Sequence, residues 1–155
     1  MKVYVRGAKH SKLSVNQVRR AVEFYAERLG MTQRLRDKIT LFITIEHKSF
    51  GFAGLCSWAD EPYRPKEFTI QAMSQGIYET LSTLAHEMVH VKQYAKGQLR
   101  DLMSKNDMVV WQGVRKTLSD DTEDYVNQPW EVEAFALETK LKNAFIYQEK
   151  KHGRW

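Results

Sequence analysis

The sequence predicts an α+β fold with a small sheet packed on amphipathic helices, and three observations carry that expectation. Apolar residues recur at helical spacing in three well-separated segments. Short runs rich in β-branched and aromatic residues stand between them. Gly, Pro and Asp punctuate the junctions, so the order reads β-α-β-β-β-α-β-α, a mixed pattern with few strands. A chain of 155 residues fits one domain, residues 1–155, and can bury a core without disulfides.

The opening 1-MKVYVRG-7 alternates as a short strand does. In 14-SVNQVRRAVEFYAERLG-30, Ser14 is placed as N-cap with Gln17 three residues on. Val18, Val22, Tyr25 and Leu29 follow at helical spacing, and Gly30 reads as the C-cap. The run 39-ITLFITIEH-47 reads as a strand buried on both faces or nearly so. Next, 50-FGFAGLCSWADEPYRP-65 holds a short strand and a loop, and 67-EFTIQAM-73 alternates Phe68, Ile70 and Ala72 against polar partners as a half-exposed strand. A long helix, 77-IYETLSTLAHEMVHVKQYAK-96, is closed by Gly97. Farther on, 107-DMVVWQGVRKTL-118 supplies a strand or hairpin around Gly113. An acidic loop, 119-SDDTEDYVNQP-129, leads into a last helix over 130–150, with Pro129 at or just before its first position, where the missing N–H costs nothing.

With 43% apolar and 28% charged residues the chain reads as globular, neither disordered nor fibrous. Its net charge of +5 is compatible with a nucleic-acid partner. The basic residues are spread out, however, with only small clusters at 34-RLRDK-38 and 150-KKHGR-154, so a concentrated footprint is missing. The single cysteine, Cys56, excludes an intramolecular disulfide and a Cys-based zinc ribbon; its neighbours Leu55 and Trp58 mark it as a small buried hydrophobe. No apolar run of signal-peptide length follows Met1 and none approaches eighteen residues, so a cytoplasmic protein without a membrane partner is expected.

The chemistry concentrates in 83-TLAHEMVHVKQYAKG-97. With about 100° per residue, Ile77, Leu81, Leu84, Ala85 and Met88 form one stripe, while His86 and His90 fall together on the opposite side with Glu87 adjacent. Lys92 lands on the apolar side, which its position near the helix end explains. Five histidines and twelve glutamates would generate H-E-x-x-H by chance on the order of once in a hundred such chains. Imidazoles one helical turn apart can both reach a Zn²⁺ at about 2 Å, and a carboxylate beside them can take a proton from a water whose pKa the metal lowers to about 7. The bland alternative is two solvated histidines sharing a helix face.

These residues resemble the zincin metallopeptidases, whose signature is an H-E-x-x-H helix beneath a small sheet. Metzincins continue as H-E-x-x-H-x-x-G-x-x-H and would need Gly and His where Gln93 and Lys96 stand. SprT-like proteases place a third histidine four residues after the second, where this chain has Tyr94. An open zinc site takes three protein ligands. Beyond His90 the only histidine is His152 in the basic tail, so the third ligand is sought among carboxylates, in 128-QPWEVEAFALE-138. That stretch looks like the second signature of glutamate-zincins (gluzincins), an E-x-x-A run on a downstream helix. The pairing of T-L-A-H-E-x-V-H with Q-P-W-E-V-E-A is similar to small, often phage-encoded HExxH proteins. Trp130, Ala134, Leu137 and Leu141 mark the core face of the last helix, with Glu131 on one flank and Glu133 on the other, and periodicity does not choose between them. The resemblance implies Glu131 as ligand and Ala134 as the small residue that lets the helices approach. Phe135 stands where such families often carry a buttressing Asp or Asn, which leaves that support to Glu133 or Glu138.

The expected function is therefore hydrolysis of protein or peptide substrates, with Zn²⁺ on His86, His90 and Glu131, and Glu87 as general base. Tyr94 and Tyr125 are candidate donors to the oxyanion that develops on water attack. The strand 67-EFTIQAM-73 stands where zincins often offer a sheet edge to an extended substrate. Two alternatives belong to other classes: a zinc-binding module without proteolysis, and a nucleic-acid-associated protein.

Overall fold

The computed structural model describes residues 1–48, 51–102, 107–118 and 122–155. Residue 50, which opens the punctuated segment, and residues 119–121 of the acidic loop lie outside the described residues. The fold is α+β. Its main sheet contains β1 (Lys2–Arg6), β2 (Thr40–Glu46), β3 (Gly54–Trp58) and β4 (Glu67–Met73) in the order β1-β2-β4-β3. The first three in that order are parallel, and β3 closes one side antiparallel to β4. The crossover between β1 and β2 carries α1 (Val15–Arg28) and the short α2 (Gln33–Arg36). Ser14 caps α1 as its sequence implies: its hydroxyl accepts from the Gln17 amide at 3.1 Å, and the Gln17 side chain accepts from the Ser14 amide at 2.9 Å. The C-cap is Leu29, one residue before the expected Gly30.

Two expectations about this sheet are corrected. Strand β2 is not buried on both faces. Leu41, Ile43 and Ile45 face the helices and are fully buried, whereas Phe42 on the other face is 39% exposed and stacks on Tyr4 at 5.2 Å. A helix layer packs against only one face, and outward Thr40, Phe42 and Thr44 are as β-prone as the inward residues, so composition cannot tell the faces apart. Strand β4 is not the free edge either: it pairs with β2 on one side and β3 on the other, leaving β3 outermost beside the candidate site.

The central helix α3 (Ile77–Ala95) follows β4 directly. Leu81, Leu84, Ala85 and Met88 enter the main core, as their periodicity requires. The opposite side does not meet solvent. Helix α5 (Pro129–Lys151) covers it, so every residue from Leu84 to Gln93 is buried. Lys92 is part of this contact and not a frayed end: it is 8% exposed and forms a short ion pair with Glu133 of α5. Burial of a charge that is paired and hydrogen-bonded is tolerable where burial of a lone one is not.

After Gly97 the chain builds a second, three-stranded antiparallel sheet from β5 (Leu99–Asp101), β6 (Met108–Trp111) and β7 (Val114–Thr117), followed by the short α4 (Thr122–Val126). The hairpin around Gly113 is present, with φ of +47° at Gln112 and +82° at Gly113, as a tight two-residue turn of this kind demands. Leu99, Val109 and Trp111 pack with Trp130 of α5 in a cluster separate from the main core. That contact anchors the start of α5. No helix among the described residues is long and apolar enough to cross a membrane.

Candidate metal centre

One turn of α3 sets the His86 and His90 rings 5.0 Å apart, centroid to centroid, at an interplanar angle of 74°. Helix α5 supplies the third group from its first turn. Pro129 starts the helix, Trp130 anchors it in the small cluster, and Glu131 then points back at the histidines. Ala134, one turn further, is fully buried in the main core, small enough for the two helices to approach. His86 Nε2 lies 3.2 Å from His90 Nε2 and 3.0 Å from Glu131 Oε2, and His90 Nε2 lies 3.2 Å from Glu131 Oε1. Donor atoms at about 2.0–2.1 Å around a tetrahedral ion stand about 3.3 Å apart, so these three are spaced to share one cation.

Each ring is held on its Nδ1 side by a neighbour, with Nε2 turned to the centre of the group. His86 Nδ1 faces Glu138 Oε2 at 2.9 Å, an acceptor, so Nδ1 must donate. His90 Nδ1 faces Gln93 Oε1 at 2.8 Å. The Gln93 amide nitrogen donates to the Trp130 carbonyl at 2.9 Å and to Glu133 Oε2 at 3.2 Å, which leaves its oxygen as the acceptor for His90. Both Nε2 atoms and the Glu131 carboxylate therefore face one point, where a cation would take the place of the protons that the histidines otherwise donate to Glu131.

The pKa shifts belong to the protonated form of the same group, in which the imidazoles donate to Glu131. Burial alone would lower the His86 pKa, but hydrogen bonds to Glu131 and Glu138 outweigh it and push it up to about 9. His90 is also raised, against burial, by Glu131. Burial would raise Glu131, yet bonds from both histidines hold it down at about 2. The donor set of two imidazoles and one carboxylate is one that zinc takes in catalytic sites.

Comparison with known proteins found no counterpart. The chain matches no family model, no curated protein and no solved structure.

Glu87, 5% exposed, sits between this triad and the edge strand β3. Its space is made by Gly54. A Cβ there would lie 2.4 Å from Glu87 Oε1 and 2.5 Å from Thr83 Cγ2, so any other residue would displace the carboxylate. Burial pushes the Glu87 carboxyl up to about 6, against the pull of His90 and His86. Two cavities, about 350 and 190 Å³, open on either side, and Gly54, Glu87, Tyr125 and Glu131 line both. The larger also reaches Phe52 and Phe135; the smaller reaches Tyr94, Val109 and Trp130.

All four site residues expected from the sequence, His86, Glu87, His90 and Glu131, are thus brought together, while Glu133 is drawn away by Lys92 and Gln93. Both glutamates expected to buttress the histidines do so: Glu138 bonds His86 directly, and Glu133 reaches His90 through Gln93. Phe135 packs its ring against His86 at 4.7 Å. Of the two tyrosines, Tyr125 hydrogen-bonds Glu131 and faces the cavities, whereas the Tyr94 hydroxyl is directed to Asp101 at 3.4 Å. Cys56 is half-buried against the core, its thiol pushed well above the ordinary range by burial and then by the Glu87 charge. Sequence reading missed Gln93 and Gly54. The i+3 spacing of Gln93 from His90 was a usable signal, since such residues share a helix face; Gly54 left none. Gln93→Leu should preserve the fold and weaken zinc binding about 10–100-fold in competition with a chromophoric chelator, because His90 loses the group that orients it.

Proposed function

We propose that the chain is a zinc-dependent peptidase acting on protein or peptide substrates. The observation that carries this is a buried group of two imidazoles and a carboxylate, spaced to hold one metal ion and open towards a cleft, with a second buried carboxylate at its mouth. Among the described residues no fourth His, Cys, Asp or Glu joins the group. That favours an open site over a closed structural one, and hence over a zinc-binding module without catalysis.

Zinc held there supplies Lewis acidity and a water acidified to about pKa 7. Glu87 takes a proton from the attacking water, whose oxygen bonds to the scissile carbonyl carbon, and returns it to the amine nitrogen as the C–N bond breaks. The Tyr125 hydroxyl, which hydrogen-bonds Glu131 and lines both cavities, is the side chain that would donate to the developing oxyanion. An extended substrate would pair with the free edge of β3, not with β4, and lay its side chains into the two cavities flanking Glu87. A cytoplasmic setting belongs to the same proposal, since a lone, unpaired cysteine suits a reducing compartment.

The test is hydrolysis of a quenched fluorescent peptide library by zinc-loaded protein. Cleavage should vanish on treatment with 1,10-phenanthroline and return when zinc is restored. Cleavage indifferent to the chelator would contradict the proposal.

A further inference from the structure

A group of cations without carboxylate partners lies away from the candidate metal centre, at the C-terminal end of α3. There a cavity of about 480 Å³, larger than either cleft at the candidate metal centre, is lined by Arg34, Lys38, Arg64, Lys66 and Lys96. Lys96 stands six residues past His90, about 9 Å along the helix axis. In the sequence these five cations are scattered over more than sixty positions; α2, the β3–β4 loop and the end of α3 gather them. Among the described residues none is within ion-pair distance of a carboxylate. Their neighbour Arg36, on the same short helix as Arg34, is by contrast shared between Glu23 and Glu27 at 3.9 Å. Asp60 and Glu61 both act on Lys66 electrostatically without pairing with it, and Asp60 spends its carboxylate on the backbone amides of Lys66, at 2.9 Å, and Glu67, at 3.1 Å. The α3 C-terminus accounts for one cation, Lys96, and not for the other four.

Two of the cations, Arg64 and Lys66, are also held in place. Arg64 has φ of +51°, a left-handed conformation that is uncommon for a residue with a side chain and tends to mark ligand-binding segments. A Cβ at Gly97 would lie 3.0 Å from Arg64 Nε and 3.2 Å from Tyr63 Cε2, so this glycine admits the loop against α3. Lys66 Nζ donates to the Arg64 carbonyl at 2.5 Å. Beside the cavity, the guanidinium groups of Arg64 and Arg100 lie 5.2 and 5.4 Å from the ring centre of Tyr63, which remains 49% exposed.

We propose that this cavity binds the phosphodiester backbone of single-stranded nucleic acid, with the Arg64–Tyr63–Arg100 group stacking bases. A basic groove beside aromatic and guanidinium planes is what a sequence-tolerant single-strand site requires. A concave pocket suits a single flexible strand better than a rigid duplex. An acidic peptide would use the charge but leave the planar groups idle. The site makes no use of the metal, so it stands whether or not the chain is a peptidase.

The experiment is fluorescence anisotropy of a labelled oligo(dT) strand of about 20 nucleotides, titrated with the full chain from 50 to 200 mM NaCl. Five phosphate contacts predict a slope of log Kd on log salt of about 3.5, a weakening of about a hundredfold over that range. The triple variant Arg34→Gln, Lys38→Gln, Lys96→Gln changes exposed side chains only and should lower the slope by about 2. Tyr63→Ser should weaken binding about tenfold with the slope unchanged. Removing equal charge from α5, as Lys140→Gln, Lys142→Gln, Lys150→Gln, should leave the slope alone; melting curves confirm that each variant is folded. Absence of saturable binding at 50 mM NaCl would overturn the proposal, as would an equal loss of slope in the α5 variant. Competition by inorganic phosphate or poly-glutamate as effective as that by unlabelled oligo(dT) would reassign the cavity to a small anion or an acidic peptide.

Discussion

Glu87→Gln is expected to keep zinc at full stoichiometry while peptide hydrolysis falls by about 10²–10⁴-fold, the range ascribed to a positioned general base. Glutamine matches glutamate in volume, so the contact with Gly54 and the packing between α3 and β3 survive. None of the three acceptor groups is touched. What disappears is the ability to take and return a proton at that point. Metal analysis and turnover measured on one preparation separate this from misfolding. Hydrolysis that persists in the glutamine variant would remove Glu87 from the chemistry and with it the proposed mechanism.

The second large effect distinguishes two glutamates only two positions apart. Glu131→Ala should weaken zinc binding by more than about 100-fold, because an acceptor of the cage itself is lost and outer-shell losses alone reach that range. Glu133→Ala should behave differently. It leaves the buried Lys92 ammonium without its partner, at a cost on the order of 1–3 kcal/mol, read as a fall of several degrees in Tm. Its effect on zinc, relayed through Gln93 to His90, should stay within about tenfold. Loss of metal in the Glu133 variant with retention in the Glu131 variant would exchange the two roles.

Local signals in the sequence carried much of this molecule and failed where distant segments meet. The α1 capping box, the α3 stripe, Pro129 at the start of α5 and the Gln112–Gly113 hairpin are all set by residues within a few positions of one another. The histidine pair was legible for the same reason, being one turn of one helix. Strand order is not local: nothing in 67-EFTIQAM-73 says that β3 will fold back outside it, so the free edge was assigned to the wrong strand. Strand β5 is three residues long, too short to show a period, so the sequence predicts only a strand or hairpin where a three-stranded sheet forms. Helical angles placed His86 and His90 away from the α3 stripe, but could not reveal that α5 buries that side too. Lys92, an anomaly on a helical wheel, becomes intelligible only opposite Glu133. The basic cavity is the extreme case, since its cations come from three segments.

The most direct test of the central claim is zinc K-edge X-ray absorption on protein loaded with zinc and freed of excess. A cage built from His86, His90 and Glu131 predicts tight, stoichiometric zinc with two imidazole nitrogens and one carboxylate oxygen at about 2.0–2.2 Å, and a remaining light-atom ligand that exchanges with solvent. Failure to retain zinc, or a shell completed by four protein side chains, would contradict it.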